Sequence, residues 1–450
     1  MPKQRPSEHI AHKPTYMGNI NTHLQRRSQL FLALLIVYLG RKALGRFILS
    51  FLLRWRSGET PRLVHRATDG NKKLLSHCPS ITKSKYYPPW RLFNGHLQTV
   101  RFAYDERGPE INYKRQLLKL PDGGVASLDW ALLHDQNVPN TATDLNASAS
   151  SSWLPDVEST RRTVIVLPGL TGGSPENYIR TTIAKLHKLG WQCVVLNARG
   201  CANTPVTTAQ LFCSAYTGDL RYVLQQLSEK YHFAQEAFVA AGFSMGANVL
   251  VKYLGEDGDQ TPLTGAVSVG NPFDLTICSA NFGGSLLNRL TYDKALNSNL
   301  RELFFVQCDA AKQFENYPGV DLEAIKATRT VRDFDDTLTK HVFHYDTVDD
   351  YYSDAGSVKK LGGVRVPLLC INAEDDPISI SAALPKDHEV EANPNIILCT
   401  TKSGGHLAFY ESSLKQQNKE DCKNVANMWT VNPIAEFAEA VRLNKVEAVA

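Results

Sequence analysis

The stretch AFVAAGFSMGANVLVKYLG, residues 237–255, is the part of the sequence that decides the fold. Its first residues form a short apolar run typical of a buried strand, and its later residues have the apolar spacing of a helix. Gly242-Phe-Ser-Met-Gly246 lies between the two, so the pattern predicts a sharp strand-to-helix turn with Ser244 at its tip. A hydroxyl placed there projects beyond the sheet, where a base can activate it as a nucleophile. The alternative is a glycine-rich turn whose serine is inert.

Short apolar runs alternate with helical segments around this turn, which is typical of βαβ units and a mainly parallel sheet. Two segments near residues 113–120 and 125–132 flank Pro121-Asp-Gly-Gly124, a hairpin signal, and are predicted to be antiparallel. We therefore expect an α/β fold with an eight-stranded, mostly parallel sheet. The six strands predicted to be parallel span residues 163–167, 192–196, 237–241, 265–269, 367–371 and 396–399.

A serine at such a turn needs an acid and a histidine later in the chain, in that order. The last two predicted strands are followed by Asn372-Ala-Glu-Asp-Asp-Pro377 and by Ser403-Gly-Gly-His406, respectively. His406 is predicted to move the proton, and an aspartate to orient its ring. Adjacent acids point in different directions, so the spacing leaves the choice between Asp375 and Asp376 open. The alternative for His406 is an ordinary histidine in a surface loop.

The negative oxygen that forms during attack on an ester needs two backbone N–H donors. One is predicted to be Met245, the residue after the nucleophile. The other is predicted to be Leu170, in the glycine-rich loop at residues 168–174 that follows an early strand. A phosphate-binding loop is the rival interpretation, but the Gly-Lys-Ser/Thr that such a loop requires is absent here.

A long interval, residues 271–355, separates the sixth predicted strand from the seventh. Its helical patterns and many aromatic residues predict a helical cap over the carboxyl ends of the strands, where loops shape a ligand pocket. The plainer interpretation is that most of these aromatic residues pack only the core of the cap. They are Phe304, Phe305, Phe314, Tyr317, Phe343, Tyr345, Tyr351 and Tyr352.

Composition argues against a disordered chain and against a multi-pass membrane protein. The 450 residues are 43% hydrophobic and 21% charged, with a formal net charge of +4. That net charge comes partly from a cluster of Arg and Lys before residue 60, so we expect no nucleic-acid partner. The nine cysteines include no CxxC pair and no Cys/His metal spacing, so we expect neither a metal nor a cofactor. Cys193, Cys370 and Cys399 lie in apolar runs and are expected to be buried, reduced thiols.

The N-terminal segment, residues 1–58, contains two apolar runs, at 30–40 and 47–53, with basic residues between and around them. Each run is shorter than the roughly 20 residues needed to cross a bilayer. We expect a single membrane anchor that either spans with a tilt or lies in the interface. A cleaved signal peptide and a helix packed on the catalytic domain are the alternatives.

Residues 59–450 are assigned to the catalytic domain. A low-complexity segment at residues 137–159, rich in Ser, Thr, Ala and Asn, is expected to be a surface loop within it. This loop contains Asn146-Ala-Ser148, a glycosylation sequon that matters only if this face is lumenal.

Six segments together resemble a known family. They read PPWRLFNGHLQT (88–99), LPGLTGGS (167–174), LNARGC (196–201), GFSMGAN (242–248), NAEDDP (372–377) and GGHLAF (404–409). On these motifs the chain resembles the α/β-hydrolase domain-containing proteins. Within them it is similar to the membrane-anchored branch that includes the yeast medium-chain fatty acid ethyl ester synthase/esterases. The resemblance extends from about residue 75 to residue 445.

This resemblance implies the α/β-hydrolase fold and selects Asp376, the second aspartate of its motif, as the acid. It also implies ester hydrolysis or acyl transfer on lipid-like substrates, and it supports an N-terminal anchor. Many members carry histidine where this chain has Pro168. Because the predicted donor at Leu170 is a backbone N–H, that departure changes little.

The leading prediction is a serine hydrolase that cleaves carboxylic esters of medium-chain or lipid-like acyl groups through an acyl-enzyme on Ser244. An alcohol O-acyltransferase using the same acyl-enzyme is the alternative, and exclusion of water distinguishes the two. A non-catalytic, membrane-bound lipid-binding protein is a second alternative, although such a protein needs no complete set of Ser244, Asp376 and His406. The expected partners are a small acyl ester or lipid and a membrane surface.

Overall fold

The computed structural model describes residues 58–134, 157, 160–233, 237–285, 288–412 and 427–449. The predicted anchor at residues 1–58 therefore lies outside the described residues, apart from Gly58. So does nearly all of the predicted loop at residues 137–159, including Asn146 and its sequon. Over the described ranges, no helix combines the length and the apolar character needed to cross a membrane.

The described residues contain nine strands, which join in one sheet. They are β1 (Arg62–His65), β2 (Lys114–Lys119), β3 (Val125–Ala131), β4 (Thr163–Leu167), β5 (Gln192–Asn197), β6 (Phe238–Phe243), β7 (Gly265–Val269), β8 (Leu368–Ala373) and β9 (Ile396–Thr401). Their order is β1-β9-β8-β7-β6-β4-β5-β3-β2. Neighbours from β9 to β5 are parallel, and the pairs β1–β9, β3–β5 and β2–β3 are antiparallel.

The mostly parallel sheet is confirmed, but the predicted count of eight strands is wrong. The missing strand is β1, which pairs antiparallel with β9 at the edge of the sheet. Its four residues hold only two apolar side chains, between Arg62 and His65, and so show no period in the sequence. The predicted hairpin is present: Lys119 lies opposite Val125, and the two strands are the neighbours β2 and β3.

Helices cover the sheet on both faces. The α-helices of the described residues are α1 (Asp69–Ser76), α2 (Pro79–Thr82), α3 (Gly95–Ala103), α4 (Asn177–His187), α5 (Gly218–Lys230), α6 (Met245–Asp257), α7 (Leu275–Gly284), α8 (Lys294–Glu302), α9 (Ala311–Phe314), α10 (Leu322–Ala327), α11 (Val331–Phe334), α12 (Lys340–Val342), α13 (Val348–Ala355), α14 (Asp387–Ala392) and α15 (Val431–Val449). Short 3₁₀ or π-helical turns span Trp90–Leu92, Cys201–Asn203, Gly258–Gln260, Arg289–Asp293, Leu303–Gln307, Asp335–Thr339, Ser357–Gly363 and Ser381–Ala383.

Alternate residues of each central strand point to opposite faces, and each face has its own apolar core. In β4, Val164 and Val166 pack with α4 and α15, whereas Ile165 packs with α5 and α6. Both faces are covered, so the parallel strands are continuous apolar runs instead of alternating ones. Cys193 and Cys370 are buried in β5 and β8 as free thiols, as predicted, and Cys399 in β9 is too.

The predicted cap region, residues 271–355, forms helices α7 to α13 between β7 and β8. Phe304 and Phe314 are buried in an apolar core within this insertion. For Phe304 this agrees with the plainer interpretation, in which the aromatic side chains pack the core of the cap. Asn248 joins the end of the insertion to α6. Its amide nitrogen donates to the Ala355 carbonyl oxygen at 2.8 Å, and its oxygen accepts the Ser357 N–H at 3.1 Å.

Candidate active site

Ser244 occupies the turn between β6 and α6 in a strained backbone conformation. Its φ of 51° and ψ of −118° lie in a region that residues other than glycine rarely adopt. A Cβ added to Gly242 would lie 2.7 Å from the Ala247 Cα, and one added to Gly246 would lie 2.3 Å from the Pro168 carbonyl oxygen. Glycine is therefore required on both sides of the serine. The strand-to-helix turn is present where the motif predicts it, and Ser244 is half-buried at its tip.

Ser244, His406 and Asp376 form one hydrogen-bonded chain. The His406 Nε2 lies 2.9 Å from the Ser244 Oγ, and the His406 Nδ1 lies 2.8 Å from the Asp376 Oδ2. Asp376 follows β8 and His406 follows β9, so two neighbouring parallel strands bring both side chains to the same edge of the sheet. With Nδ1–H donating to the carboxylate, the lone pair of Nε2 faces the hydroxyl and can accept its proton.

Asp376 is buried, and both of its carboxylate oxygens are hydrogen-bonded. Its Oδ1 accepts the backbone N–H groups of Ile378 at 2.7 Å and Ser379 at 2.9 Å, while its Oδ2 faces His406. Asp375 points elsewhere, because its Oδ1 accepts the backbone N–H of Gly405 at 2.9 Å. The two adjacent acids therefore differ in what they hold: Asp376 contacts the imidazole ring, and Asp375 contacts the backbone of the loop beside it.

The motif at residues 88–99 supports both loops. The Thr99 Oγ1 accepts the His406 backbone N–H at 2.8 Å and donates to the Gly95 carbonyl oxygen at 2.7 Å. Gly95 lies so close to the other loop that an added Cβ would come within 1.8 Å of the Asp375 carbonyl oxygen. No role for this motif was predicted from the sequence. Gly95 and Thr99 could have indicated a contact with neighbouring loops, because close backbone contacts need a small residue and a short hydroxyl.

Leu170 and Met245, the two predicted oxyanion donors, both line the cavity beside Ser244 and His406. Met245 is the first residue of α6, so its backbone N–H lies at a helix N-terminus, which favours negative charge. The loop that carries Leu170 is fixed by Tyr178, whose hydroxyl oxygen accepts the Gly169 N–H at 3.0 Å. Burial raises the pKa of Tyr178, so this hydroxyl stays protonated.

A buried ion pair supports the glycine-rich loop at residues 168–174 that carries Leu170. Arg115 donates two hydrogen bonds of 2.7 Å to the two carboxylate oxygens of Asp129. The Ser174 hydroxyl and the Asn197 amide also donate to Asp129, which satisfies its buried charge. Sequence reasoning missed this network. Arg115 and Asp129 belong to none of the motifs, and the available signal was a pair of charged residues within two predicted strands.

A cavity of about 300 Å³ lies beside Ser244 and His406 and is lined largely by the 271–355 insertion. Residues 211–214 complete the wall. The apolar side chains that line it include Leu211, Phe212, Leu275, Phe282, Leu296, Leu300, Leu303, Phe314, Phe334, Leu338, Val342 and Phe343. Such a lining accommodates a hydrocarbon chain and keeps water away from it.

Two carboxyl groups of the insertion, Asp293 and Asp335, also line the cavity and are buried. Burial raises the pKa of Asp335 to about 6, and it also raises the pKa of Asp293. Asp335 accepts hydrogen bonds from the hydroxyl groups of Thr339 at 2.6 Å and Tyr352 at 2.8 Å. A carboxyl group with a raised pKa binds its proton more tightly in the folded state. Its contribution to stability is therefore greatest in acid and is lost as the pH rises through about 6.

Another motif residue, Arg199, is buried and serves the fold. Its Nε and Nη2 each donate to Asp219 at 2.7 Å, and its guanidinium also contacts Asp122 in the turn between β2 and β3. It therefore joins that turn to α5. Across the part of the chain that the structure describes, no group of three or more His, Cys, Asp and Glu side chains is arranged to hold a metal ion.

Comparison with known proteins agrees with the motifs. A family model described as the alpha/beta hydrolase fold matches residues 162–413. The human phospholipase ABHD3 is 34% identical over 362 residues, which cover 80% of this chain and 81% of that protein. The monoacylglycerol lipase of Saccharomyces cerevisiae is 32% identical over 340 residues, which cover 71% and 75% of the two chains, respectively.

A third relative comes from the group named in the sequence analysis. The medium-chain fatty acid ethyl ester synthase/esterase 2 of Saccharomyces cerevisiae is 31% identical over 393 residues, which cover 77% of this chain and 83% of that protein. The resemblance inferred from the six motifs is therefore confirmed. Together with the sheet order and the position of the serine turn, these matches lead to one conclusion: the chain belongs to the alpha/beta hydrolase fold family.

Proposed function

We propose that this chain is a serine hydrolase that cleaves carboxylic esters of medium-chain or lipid-like acyl groups through an acyl-enzyme on Ser244. The observation that carries the proposal is the hydrogen-bonded chain of Ser244, His406 and Asp376 beside an apolar cavity. Relatives named as a phospholipase, a monoacylglycerol lipase and an ethyl ester synthase/esterase support ester hydrolysis as the reaction class.

In the first half of the proposed reaction, the Ser244 Oγ attacks the ester carbonyl carbon while His406 Nε2 takes the hydroxyl proton. The carbonyl oxygen becomes negative and accepts hydrogen bonds from the backbone N–H groups of Leu170 and Met245. Asp376 stabilises the imidazolium that forms and keeps its ring in place. When the tetrahedral intermediate collapses, the bond to the alcohol oxygen breaks and His406 gives its proton to the leaving alcohol.

In the second half, water takes the place of the departed alcohol. His406 removes a proton from this water, and the water oxygen attacks the acyl carbon. The acyl carbonyl oxygen becomes negative and accepts hydrogen bonds from the same two backbone N–H groups. Collapse of this second intermediate returns the proton to Ser244 Oγ and releases a carboxylic acid. The acyl chain is assigned to the apolar cavity, whose volume of about 300 Å³ is at the lower end of the range for small-molecule sites. This size favours one acyl chain of medium length.

An alcohol O-acyltransferase remains the alternative, because an alcohol can take the place of water in the second half of the same reaction. The name of the synthase/esterase relative couples both reactions in one enzyme, which favours keeping this alternative. A non-catalytic lipid-binding protein is the second alternative. It is less well supported, because binding alone requires no proton acceptor at hydrogen-bonding distance from Ser244.

The test of the proposed function is labelling of the purified protein by a fluorophosphonate, which reacts with activated serine hydroxyl groups. We expect stoichiometric labelling and a parallel loss of esterase activity.

In a series of p-nitrophenyl esters, kcat/KM is expected to rise from short to medium acyl chains, because each added methylene enters the apolar cavity. Formation of an ethyl ester when ethanol is added would identify the transferase. A folded protein that neither reacts with the probe nor turns over any ester would be the lipid-binding protein.

We also propose that residues 1–58 attach the enzyme to a membrane and take no part in the chemistry. The support is compositional: two apolar runs are surrounded by arginine, lysine and tryptophan, whereas the candidate catalytic residues all lie beyond residue 165. The described structure indicates the residue at which a shortened protein should begin. The Glu59 N–H donates to the Tyr86 carbonyl oxygen at 2.8 Å, so the folded part begins at about Gly58.

A protein beginning at Gly58 is expected to stay in the supernatant after ultracentrifugation and to retain full activity on a water-soluble short-chain ester. The full-length chain is expected to sediment with membranes. Release of that full-length chain by alkaline carbonate would indicate an interfacial segment, and release by detergent alone would indicate a spanning one. Aggregation or unfolding of the shortened protein would contradict the anchor, because it would show that the segment belongs to the folded domain.

A further inference from the structure

Half of the large exposed apolar side chains of the described residues lie in or beside α3. Of the ten large apolar side chains that are exposed, five lie between residues 90 and 104. They are Trp90 (51% exposed), Phe93 (53%), Leu97 (38%), Val100 (47%) and Tyr104 (79%). Leu97 and Val100 lie three residues apart on one face of α3, and Phe93 and Tyr104 flank the helix at its two ends. We call these five residues the 90–104 patch.

The opposite face of α3 is polar and buried, which reverses the usual arrangement of a surface helix. Gln98 and Thr99 are buried, and their side chains accept the backbone N–H groups of Tyr410 and His406, respectively. The polar face is therefore occupied by loops of the candidate active site, whereas Leu97 and Val100 on the other face are exposed. A contiguous exposed apolar patch costs free energy in water and marks a surface that something else covers.

The charge around the patch matches an anionic lipid surface. From Gly70 to Tyr104 the sequence has six basic residues and no acidic one. Among the six, Lys83, Lys85 and Arg91 are exposed, and the Arg91 guanidinium lies 5.1 Å from the centre of the Trp90 ring. Tryptophan, tyrosine and arginine around an apolar face are typical of residues at the boundary between lipid headgroups and acyl chains.

The chain enters the described structure beside this patch. Gly58 packs so closely on Tyr87 that an added Cβ would lie 2.7 Å from its ring, and Tyr87 precedes Trp90 by three residues. Gly58, the first described residue, therefore lies against a residue three positions before the patch. A membrane attachment in residues 1–57 would hold this part of the domain close to the lipid.

Helix α3 also contacts the wall of the cavity. His96 Nδ1 lies 2.9 Å from the Tyr292 hydroxyl oxygen, so α3 contacts the turn that contains Arg289 and Leu290. Leu290 is 61% exposed, and its neighbour Arg289 lines the cavity beside Ser244. Helix α3 therefore contacts the turn that forms part of the cavity wall.

We propose that the 90–104 patch is a docking face that seats the domain on an anionic lipid bilayer with the cavity close to the lipid. In this arrangement an ester moves from the bilayer to Ser244 without passing through bulk water. The docking itself does not depend on the chemistry, but its value for turnover rests on the proposed function. It differs from the anchor in residues 1–58, because it fixes the orientation of the domain as well as its attachment.

The first test uses Trp90 as a native reporter in the full-length protein. Vesicles of phosphatidylcholine and phosphatidylserine with brominated acyl chains quench tryptophans that enter the acyl region. We expect Trp90→Phe to lose a distinct part of this quenching, and the difference from the unchanged protein separates Trp90 from Trp55. Equal quenching of the two proteins would overturn the proposal. So would a lipid-free dimer that dissociates on replacing Phe93 and Val100 by serine, since a second copy of the chain would then cover the patch.

The second test measures turnover of the same full-length proteins on two substrates. Phe93→Ser/Val100→Ser is expected to lower hydrolysis of an ester embedded in anionic vesicles by about tenfold or more, because two apolar side chains no longer enter the lipid. Hydrolysis of a water-soluble short-chain ester is expected to stay within about twofold, since neither side chain lines the cavity beside Ser244. Leu189→Ser is the matched control: this exposed leucine lies at the opposite ends of the strands, just before β5, and both activities should persist.

The outcomes separate the docking face from the proposed function. If the double variant loses activity on both esters, the patch supports the His406 loop and docking is overturned. If the unchanged protein hydrolyses neither ester, the proposed function fails, and the quenching experiment alone decides whether the face binds lipid.

Discussion

Ser244→Ala is expected to lower kcat for ester hydrolysis by roughly 10⁴- to 10⁶-fold while the protein stays folded. The hydroxyl supplies the attacking oxygen, so without it the backbone donors and the cavity have no covalent intermediate to stabilise. The fold should survive, because the Oγ is half-buried and its hydrogen bond to His406 contributes little to the packing. Steady-state kinetics on a soluble ester and thermal unfolding of the same sample measure both parts of this expectation.

Ser279→Ala is the matched control for this variant. Ser279 lines the same cavity, so its replacement removes a hydroxyl from the same surroundings without touching the chain of Ser244, His406 and Asp376. We expect this control to keep its activity within a few-fold. Retention of turnover by Ser244→Ala would show that another group is the nucleophile and would remove the basis of the proposed mechanism.

Asp376→Asn is expected to lower kcat by about 10⁴-fold. An amide in place of the carboxylate no longer stabilises the imidazolium, and its NH₂ group favours the tautomer that leaves Nε2 protonated. Nε2 then has no lone pair to accept the proton of Ser244. The measurement is kcat on a water-soluble short-chain ester, with thermal unfolding of the same sample to show that the variant is folded.

The adjacent Asp375→Asn provides the comparison. Its Oδ1 can still accept the Gly405 N–H, so we expect a loss of less than about tenfold, caused by a small displacement of the loop. Equal losses in the two variants would mean that the hydrogen bond between Asp376 and His406 matters no more than the loop contact. A larger loss in Asp375→Asn than in Asp376→Asn would show that Asp375, and not Asp376, is the acid.

Local patterns allowed much of this site to be predicted from the sequence. The glycines around Ser244 are fixed by contacts within the turn, and the loops of Asp376 and His406 directly follow strands that the apolar runs reveal. The structure brings these three side chains together, and their catalytic role stays a prediction. Spacing left the choice between the two aspartates open, because the deciding contacts are the backbone N–H groups of Ile378 and Ser379.

Features that depend on distant partners could not be predicted in this way. Strand β1 is too short to show a period and is defined by pairing with β9, far along the chain. Thr99 belongs to a motif that was recognised, but its role appears only when His406 is placed against it. The same holds for Arg115 and Asp129, since nothing in the sequence indicates that their charges meet beneath the oxyanion loop.

The contacts that close the site link the two ends of the domain, which has a consequence for its biosynthesis. Thr99 can bond to His406 only after 307 more residues have been synthesised. The hydrogen bond from the Tyr86 hydroxyl to the Tyr410 carbonyl oxygen requires 324 more residues. At a ribosomal rate of about 5–20 residues per second, this delay amounts to roughly 15–60 seconds. During that time β1 lacks its neighbour and the apolar side of α3 emerges without a folded domain behind it. A nascent chain of this enzyme should therefore depend on chaperones, and esterase activity should arise in one late step after the C-terminal residues leave the ribosome.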